Sequence, residues 1–302
     1  MNGYAQRIIE KSYFCGIKTG NKQITIVFGK RIKKNWAVPE GEPLTELDRK
    51  VLSMQEQGFI VPRRDMIKSP EQIEGIRQSG IINSGVLDLV AREIHAGMTT
   101  GDIDRLVYDY TTRHGAIPAP LNYEGFPKSV CTSIDEVVCH GIPCDEEQLL
   151  EGDIVNVDVS TIYKGYYSDA SRMFVIGKTT PEKQRLVDVA RECLELGAAA
   201  ARPYGQLGDV AAAITHHAHK NGYSVVRDLC GHGVGLEFHE DPEVNHYGRK
   251  GTGMIMVPGM VFTIEPMINM GTWEVFVDAD DGWTVVTEDE KPSAQWEHTF
   301  VM

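Results

Sequence analysis

Two apolar runs that can only fold against each other constrain this chain of 302 residues more than any other feature. Asp153–Tyr163 and Ser168–Ile176 are separated by Lys164-Gly165, a pair suited to a tight reversal, so the two runs read as a β-hairpin. Each carries one carboxylate: Asp158 in Asn156-Val157-Asp158-Val159-Ser160, and Asp169 in Ser168-Asp169-Ala170-Ser171-Arg172. Pairing around Lys164-Gly165 is expected to set the two carboxylates facing each other across the ladder. An ionised carboxylate in an apolar strand is costly unless something compensates it. Two adjacent ones also repel. A bound dication removes both penalties. The alternative without a metal pairs Asp169 with Arg172 and lets Asp158 cap a turn.

Helical patterns flank the hairpin. Leu44, Leu47, Val51 and Met54 recur at helical spacing and predict an amphipathic helix ending near Gly58. Ser69-Pro70-Glu71-Gln72 is a helix start with a capping box, and the apolar face that follows runs to about Gly97. Thr100 is expected to cap the next helix, which stops at Gly115. Beyond the hairpin, Thr180-Pro181 opens a helix to about Arg202, and another spans roughly Leu207 to Asn221. Strand-like runs return at Met260–Ile268, Trp273–Val277, Trp283–Thr287 and Trp296–Met302. This order predicts an α+β fold, with helices packed on one face of a largely antiparallel sheet.

The net charge of −13 argues against broad nucleic-acid binding. No apolar run approaches the roughly 18 residues that a membrane span needs. Met1–Gly20 lacks the apolar core of a secretory signal. The six cysteines form no C-x-x-C pair, so reduced thiols and a cytoplasmic location are expected. Cys139 and Cys144 read as small core residues. The segment Lys18–Lys34 carries six basic and no acidic residues, and within it Gln23–Phe28 reads as a strand. That strip reads as a solvated face, with contact to ribosomal RNA as its functional alternative. Trp36–Pro43 reads as a linker rich in Pro and Gly.

Three further groups are candidates for the same chemistry as the hairpin aspartates. His232 sits among glycines in Gly231-His232-Gly233-Val234-Gly235, with His239 seven residues on. Glu265 ends an apolar strand in Thr263-Ile264-Glu265-Pro266, and Glu297 sits in Trp296-Glu297-His298-Thr299 near the end of the chain. Asp158, Asp169, His232, Glu265 and Glu297 together form a set of oxygen and nitrogen donors suited to Mn, Fe, Co or Zn. Five shared ligands fit two ions about 3.5–4 Å apart, which acidify a bridging water and polarise a carbonyl. His216, His217, His219 and His246 read as surface residues.

In order and spacing, Phe126–Pro143, Gly152–Ser160, Ser168–Phe174, Cys230–Pro242, Phe262–Pro266 and Ala294–Thr299 resemble the type I methionine aminopeptidases. More broadly they resemble the pita-bread metallohydrolases. The resemblance covers roughly Ile67 to Met302. It implies the pita-bread fold, a pseudo-two-fold antiparallel sheet covered by helices with the dimetal site at its centre. It implies hydrolytic removal of the N-terminal methionine from chains with a small second residue, by a metal-bridged water at two divalent ions (Co, Mn, Fe or Zn). By the same resemblance, Asp158 is the bidentate ligand of one ion, and Asp169 and Glu297 are shared. His232 and Glu265 serve the other ion, with Glu265 also a proton shuttle. His140 contacts the scissile amide and His239 stabilises the tetrahedral intermediate. Tyr123, Phe126, Cys131, Phe238 and Trp283 form the methionine pocket, since aromatic rings and a thiol suit a polarizable thioether.

Two departures stand out. Ala170-Ser171 follows Asp169 where many type I sequences have Thr-Ser, and Pro120 stands where some relatives place a pocket cysteine. The implied partners are nascent or free polypeptide N-termini, with no membrane, and the chemistry needs only a monomer. Residues 1–63 are expected to be an extension and linker helix outside a catalytic domain of 64–302, and dispensable for the chemistry. A prolidase or aminopeptidase P is the competing hydrolase. A relative without activity that serves as a binding module is the competing non-enzyme.

Overall fold

Alternation along the hairpin decides which way the molecule faces. In a computed structural model that describes residues 36–39 and 41–302, strand residues Val155, Val157 and Val159 are fully buried. They share a core with Val86, Leu87, Val90, Ile103 and Val107 of two helices. Side chains alternate across a strand, so Asn156, Asp158 and Ser160 point to the opposite face, away from those helices. The predicted Gln23–Phe28 strand, the basic strip and Cys15 lie outside the described residues.

Five helices are described: α1 Glu46–Glu56, α2 Pro70–Glu93, α3 Thr100–Arg113, α4 Pro181–Ala200 and α5 Leu207–Lys220. The capping box predicted at Ser69 is present, and Pro70 occupies the first turn of α2. The cap of α3 is Thr99 rather than Thr100. Thr99 Oγ1 accepts the Asp102 N–H and the Asp102 carboxylate accepts the Thr99 N–H in return.

The strands of the first half are β1 Ile117–Pro118, β2 Cys131–Ile134, β3 Val137–Cys139, β4 Ile154–Tyr163 and β5 Tyr166–Val175. Those of the second are β6 Ser224–Val225, β7 Gly231–Gly233, β8 Glu240–Val244, β9 Val261–Ile264 and β10 Met267–Asn269. They continue with β11 Val275–Val277, β12 Val285–Thr287, β13 Ser293–Gln295 and β14 His298–Val301. The predicted run Met260–Ile268 is therefore two strands, broken at Glu265-Pro266.

The strands pair antiparallel throughout these sheets. One sheet runs β1-β4-β2 with β5 on β4, and another runs β14-β9-β7-β8. Two smaller sheets, β13-β10-β6 and β11-β12-β3, complete the set. Helices α2 and α3 back the β4–β5 hairpin, while α4 and α5 pack on the second half, burying Leu186, Val189, Val210 and Ile214 against Phe262, Ile264 and Ile268. Two helix pairs thus cover two antiparallel sheets from outside, which leaves the polar faces meeting in the middle. This is the pita-bread arrangement.

The β4–β5 register corrects one expectation. Lys164 and Gly165 both have positive φ, at 51° and 82°, as a two-residue type I′ turn requires. That turn pairs Tyr163 with Tyr166, so Asp158 lies opposite Ser171 and Asp169 opposite Ser160. The two carboxylates are diagonal neighbours on the same face, not direct partners. Nor does Asp169 pair with Arg172, whose Nη1 bonds Asp88 Oδ1 at 2.7 Å.

The segment read as a linker packs into the second half of the molecule. Trp36, Val51, Met54 and Val61 are buried in the same core as α4 and α5. Trp36 Nε1 donates to Asp48 Oδ1 at 2.8 Å, and Arg64 Nε lies 3.5 Å from the same oxygen. Val61 before Arg63 and Ile67 after it belong to or pack against that same core.

Candidate metal centre

Each candidate ligand sits on the inner face of the second-half sheet or of the hairpin, or beside a strand end. Asp158 and Asp169 project from β4 and β5, and His232 from β7. Glu265 and Glu297 flank the ends of β9 and β14. The glycines beside His232 have a steric reason. A Cβ on Gly231 would stand 2.7 Å from the Thr263 carbonyl oxygen, and one on Gly233 would collide with the Asp241 backbone. Only glycine lets β7 lie this close to β9 and β8.

All five converge. His232 Nε2 is 3.6 Å from Asp169 Oδ2 and 3.6 Å from Glu265 Oε1. Ligand atoms of Asp169, His232 and Glu297 lie within 4.8 Å of one another. Glu297 is 1% exposed. Burial first, and then the neighbouring carboxylates, push Asp169 and Glu297 well above the ordinary carboxylate range. Burial likewise raises Asp158 to about 7 and Glu265 to about 8. Burial lowers His232 to about 4, which keeps the imidazole neutral and able to ligate. Asp158 Oδ1 is buried with no hydrogen-bond partner. A cluster of two buried and two half-buried acids, one neutral imidazole and one unsatisfied carboxylate oxygen fits divalent cations of the Mn–Zn series.

Supporting groups fix these ligands. Ser160 Oγ donates to Asp169 Oδ1 at 2.8 Å. Thr263 Oγ1 donates to Glu265 Oε1 at 2.7 Å and accepts the His232 N–H at 3.0 Å. Gln295 Nε2 donates to Glu265 Oε2 at 3.1 Å. Sequence reasoning missed Thr263 and Gln295. Each stands two residues before a candidate carboxylate, and strand alternation puts such a residue on the same face. His246 was expected at the surface but is 1% exposed, with Nε2 accepting the Glu265 N–H at 3.0 Å. His216 and His219 are exposed, and His217 pairs with Glu192 at 2.6 Å.

A cavity of about 120 Å³ opens onto the cluster. All twelve residues singled out in the sequence line it, along with Pro120, Glu124, Cys139 and Gln295. His140 follows β3 in a left-handed conformation, φ 58°, and its pKa is lowered to about 4 by burial. His239 precedes β8, its Nδ1 3.0 Å from the Tyr123 hydroxyl. Burial, with His232 and His140 nearby, holds its pKa well below the ordinary value. Beside His239, Tyr123 meets Phe238 edge-on at 4.9 Å, and elsewhere in the lining Phe126 meets Trp283 edge-on at 5.3 Å. Cys131 is a buried free thiol whose backbone lies opposite Asp158 in the β2–β4 ladder.

Comparison with known proteins agrees with this geometry. Methionine aminopeptidase A of Synechocystis is 51% identical over 78% of this chain and 92% of its own length. The crystal structure of methionine aminopeptidase from Rickettsia prowazekii superposes with a TM-score of 0.77 at 45% identity, covering 78% of this chain and 95% of that one. Prolidase from Pyrococcus furiosus shares the fold only, with a TM-score of 0.62 at 21% identity over 80% of this chain and 66% of that one. The profile of Metallopeptidase family M24 matches residues 74–302, the span that supplies the hairpin, all but the first turn of the two helix pairs and every candidate ligand, and the chain belongs to that family.

Proposed function

We propose that this chain removes the N-terminal methionine from peptides and proteins whose second residue is small, using two divalent metal ions. The observation that carries the proposal is the single cavity joining five candidate ligands to an aromatic and thiol pocket. The identity gap between methionine aminopeptidases and prolidase supports the same choice of substrate. Asp158, Asp169, His232, Glu265 and Glu297 would hold the ions, of which Co, Mn, Fe and Zn suit the donors. Bound there, a pair of divalent ions lowers the pKa of water and polarises the scissile carbonyl.

The chain's own residues do the rest. The methionine side chain enters between Tyr123, Phe126, Cys131, Phe238 and Trp283. Glu265, steadied at both oxygens by Thr263 and Gln295, takes and returns a proton. His140 hydrogen-bonds the scissile amide. His239, its Nδ1 held 3.0 Å from the Tyr123 hydroxyl, turns its Nε2 edge to the carbonyl oxygen as charge develops there. The chain acts as a cytoplasmic monomer on nascent or free N-termini. Contact with the ribosome through the basic strip before residue 36 is the added partner proposed.

The test measures methionine release from Met-Gly peptides, with metal content, for three variants. His232→Ala loses metal. His239→Ala and His140→Ala keep metal and lose roughly 10²–10³ in kcat. A metal-free His239→Ala would make His239 a ligand and reassign His232.

A further inference from the structure

The loop that ends in His239 is braced by Glu240, which is itself held by a lysine outside the span matched by the family profile. Glu240 adjoins His239, and its Oε1 accepts the backbone N–H groups of Leu236 at 2.6 Å and Glu237 at 2.9 Å. Its other oxygen is bound by the ammonium of Lys68. The Lys68 side chain is 2% exposed and that of Glu240 is 15% exposed. Lys68 is itself fixed, because its N–H donates to the Gly259 carbonyl at 2.8 Å and Ile67 bridges Met260 at the entry to β9. Next along the loop, Asp241 Oδ2 accepts from Arg63 Nη1 at 2.6 Å. The far side is closed by the Tyr167 N–H, which donates to the Gly235 carbonyl at 2.8 Å.

We infer that Lys68 and Glu240 are a positioning pair that sets the placement of His239 over the metal centre. The inference rests on the role assigned to His239 above. A half-buried carboxylate that loses its counter-ion either takes up a proton or turns toward water, and in both cases its hold on backbone amides weakens. Leu236 and Glu237 would then be released, and the turn that ends in the stacked Phe238 and His239 rings, 4.3 Å apart, would loosen. A donor aimed at a transition state tolerates little displacement, so the loss falls on kcat and not on KM.

The experiment uses the full chain loaded with Mn. It compares wild type, K68M, H239A and K68M/H239A for kcat, KM, bound metal and hydrogen exchange at the Leu236 and Glu237 amides. K68M is expected to keep its metal, hold KM within roughly threefold, lose about tenfold or more in kcat, and exchange those two amides faster. In the H239A background K68M should cost no more than about twofold further, because the displaced group is already gone. Wild-type kcat in K68M, unchanged amide protection, or equal losses in both backgrounds would overturn the pair's role. H239A at full rate would instead remove the role given to His239, and with it anything for the pair to position. Should K68M fail to fold, E240Q makes the same comparison.

Discussion

The imidazole of His246 stands behind Glu265, its Nε2 accepting the Glu265 backbone N–H at 3.0 Å. Burial holds its pKa down to about 3, so the ring is neutral, and using Nε2 as acceptor puts the proton on Nδ1. Replacing the ring strands a buried N–H, which costs about 1–3 kcal/mol. His246→Leu should therefore unfold at lower urea with an unchanged m-value, and it should lower kcat because Glu265 loses its backstop. His246→Gln offers a carbonyl acceptor and should lose less. An unchanged urea midpoint in His246→Leu would show that this bond contributes nothing.

The metal-stripped protein should have a particular pH profile. Asp158 and Glu265 ionise at about 7 and about 8 in the fold, and Asp169 and Glu297 are held well above the ordinary range, all first by burial. Unfolded carboxyls ionise near about 4. The fold thus keeps protons that the open chain has released, so stability from these groups is lost as pH rises through the folded values. His140, His232, His239 and His246 work in the opposite sense: their folded pKa values are depressed, so stability rises with pH until about 6.5. The two effects oppose each other between about pH 4 and 6.5, and above that only the carboxylates remain. Melting of stripped protein should change little across the lower window and fall between about pH 6.5 and 8. Loaded protein should not share the fall, since the cations hold the carboxylates ionised. A stripped sample that gains stability above pH 7 would contradict the argument.

Much of this site was legible because its residues come in short, spaced clusters. The hairpin announced itself through alternation and Lys164-Gly165, and the glycines around His232 signalled a close approach that the β7–β9 contact explains. The diagonal offset of Asp158 and Asp169 was also implicit, because a two-residue turn pairing Tyr163 with Tyr166 leaves Ser171 opposite Asp158. Other features were hidden by distance along the chain. Lys68 meets Glu240 across 172 positions, and no local pattern foretells that. His246, between Asn245 and Tyr247, looks like any polar turn residue until the fold buries it and brings the Glu265 N–H onto its Nε2. Trp36 was read as linker because Pro and Gly follow it, yet its indole finds a buried carboxylate partner at Asp48.

Pocket geometry predicts which kinetic constant each change moves. Trp283 packs edge-on against Phe126, which is 2% exposed. Such a pair is worth about 0.5–1.5 kcal/mol beyond burial. Trp283→Ala should raise KM for Met-Ala peptides roughly 3- to 10-fold and leave kcat nearly unchanged, the pattern of lost uniform binding. In the wild type, the second residue must pass beside His140 and the ligand cluster, where bulk displaces the amide. Met-Leu peptides should turn over far more slowly than Met-Ala peptides. Equal rates would mean that the cavity does not select at that position.

The last prediction reverses an expectation drawn from sequence. No candidate ligand or pocket residue precedes Arg63, which suggested that a chain starting there would fold and work. The packing points the other way. Trp36, Val51, Met54 and Val61 are each at most 8% exposed and lie in one core with Leu186, Val210 and Ile255. Burying side chains of this size contributes about 1.5–3 kcal/mol each, hence about 6–12 kcal/mol for the four. That rivals the whole stability of an ordinary domain, about 5–15 kcal/mol. Deletion would also remove Asp48 and Glu42, the two partners of Arg64, and the Ile60 carbonyl that accepts the Ile255 N–H at 2.9 Å. A chain starting at Arg63 should be insoluble or melt many degrees lower, whereas one starting at Trp36 retains these contacts and should turn over a methionyl peptide at the wild-type rate. Thermal melts and kcat for the two truncations, side by side with the full chain, decide the matter. If the Arg63 chain melts like the full protein, residues 36–62 cover the core without stabilising it, and the boundary expected from sequence stands.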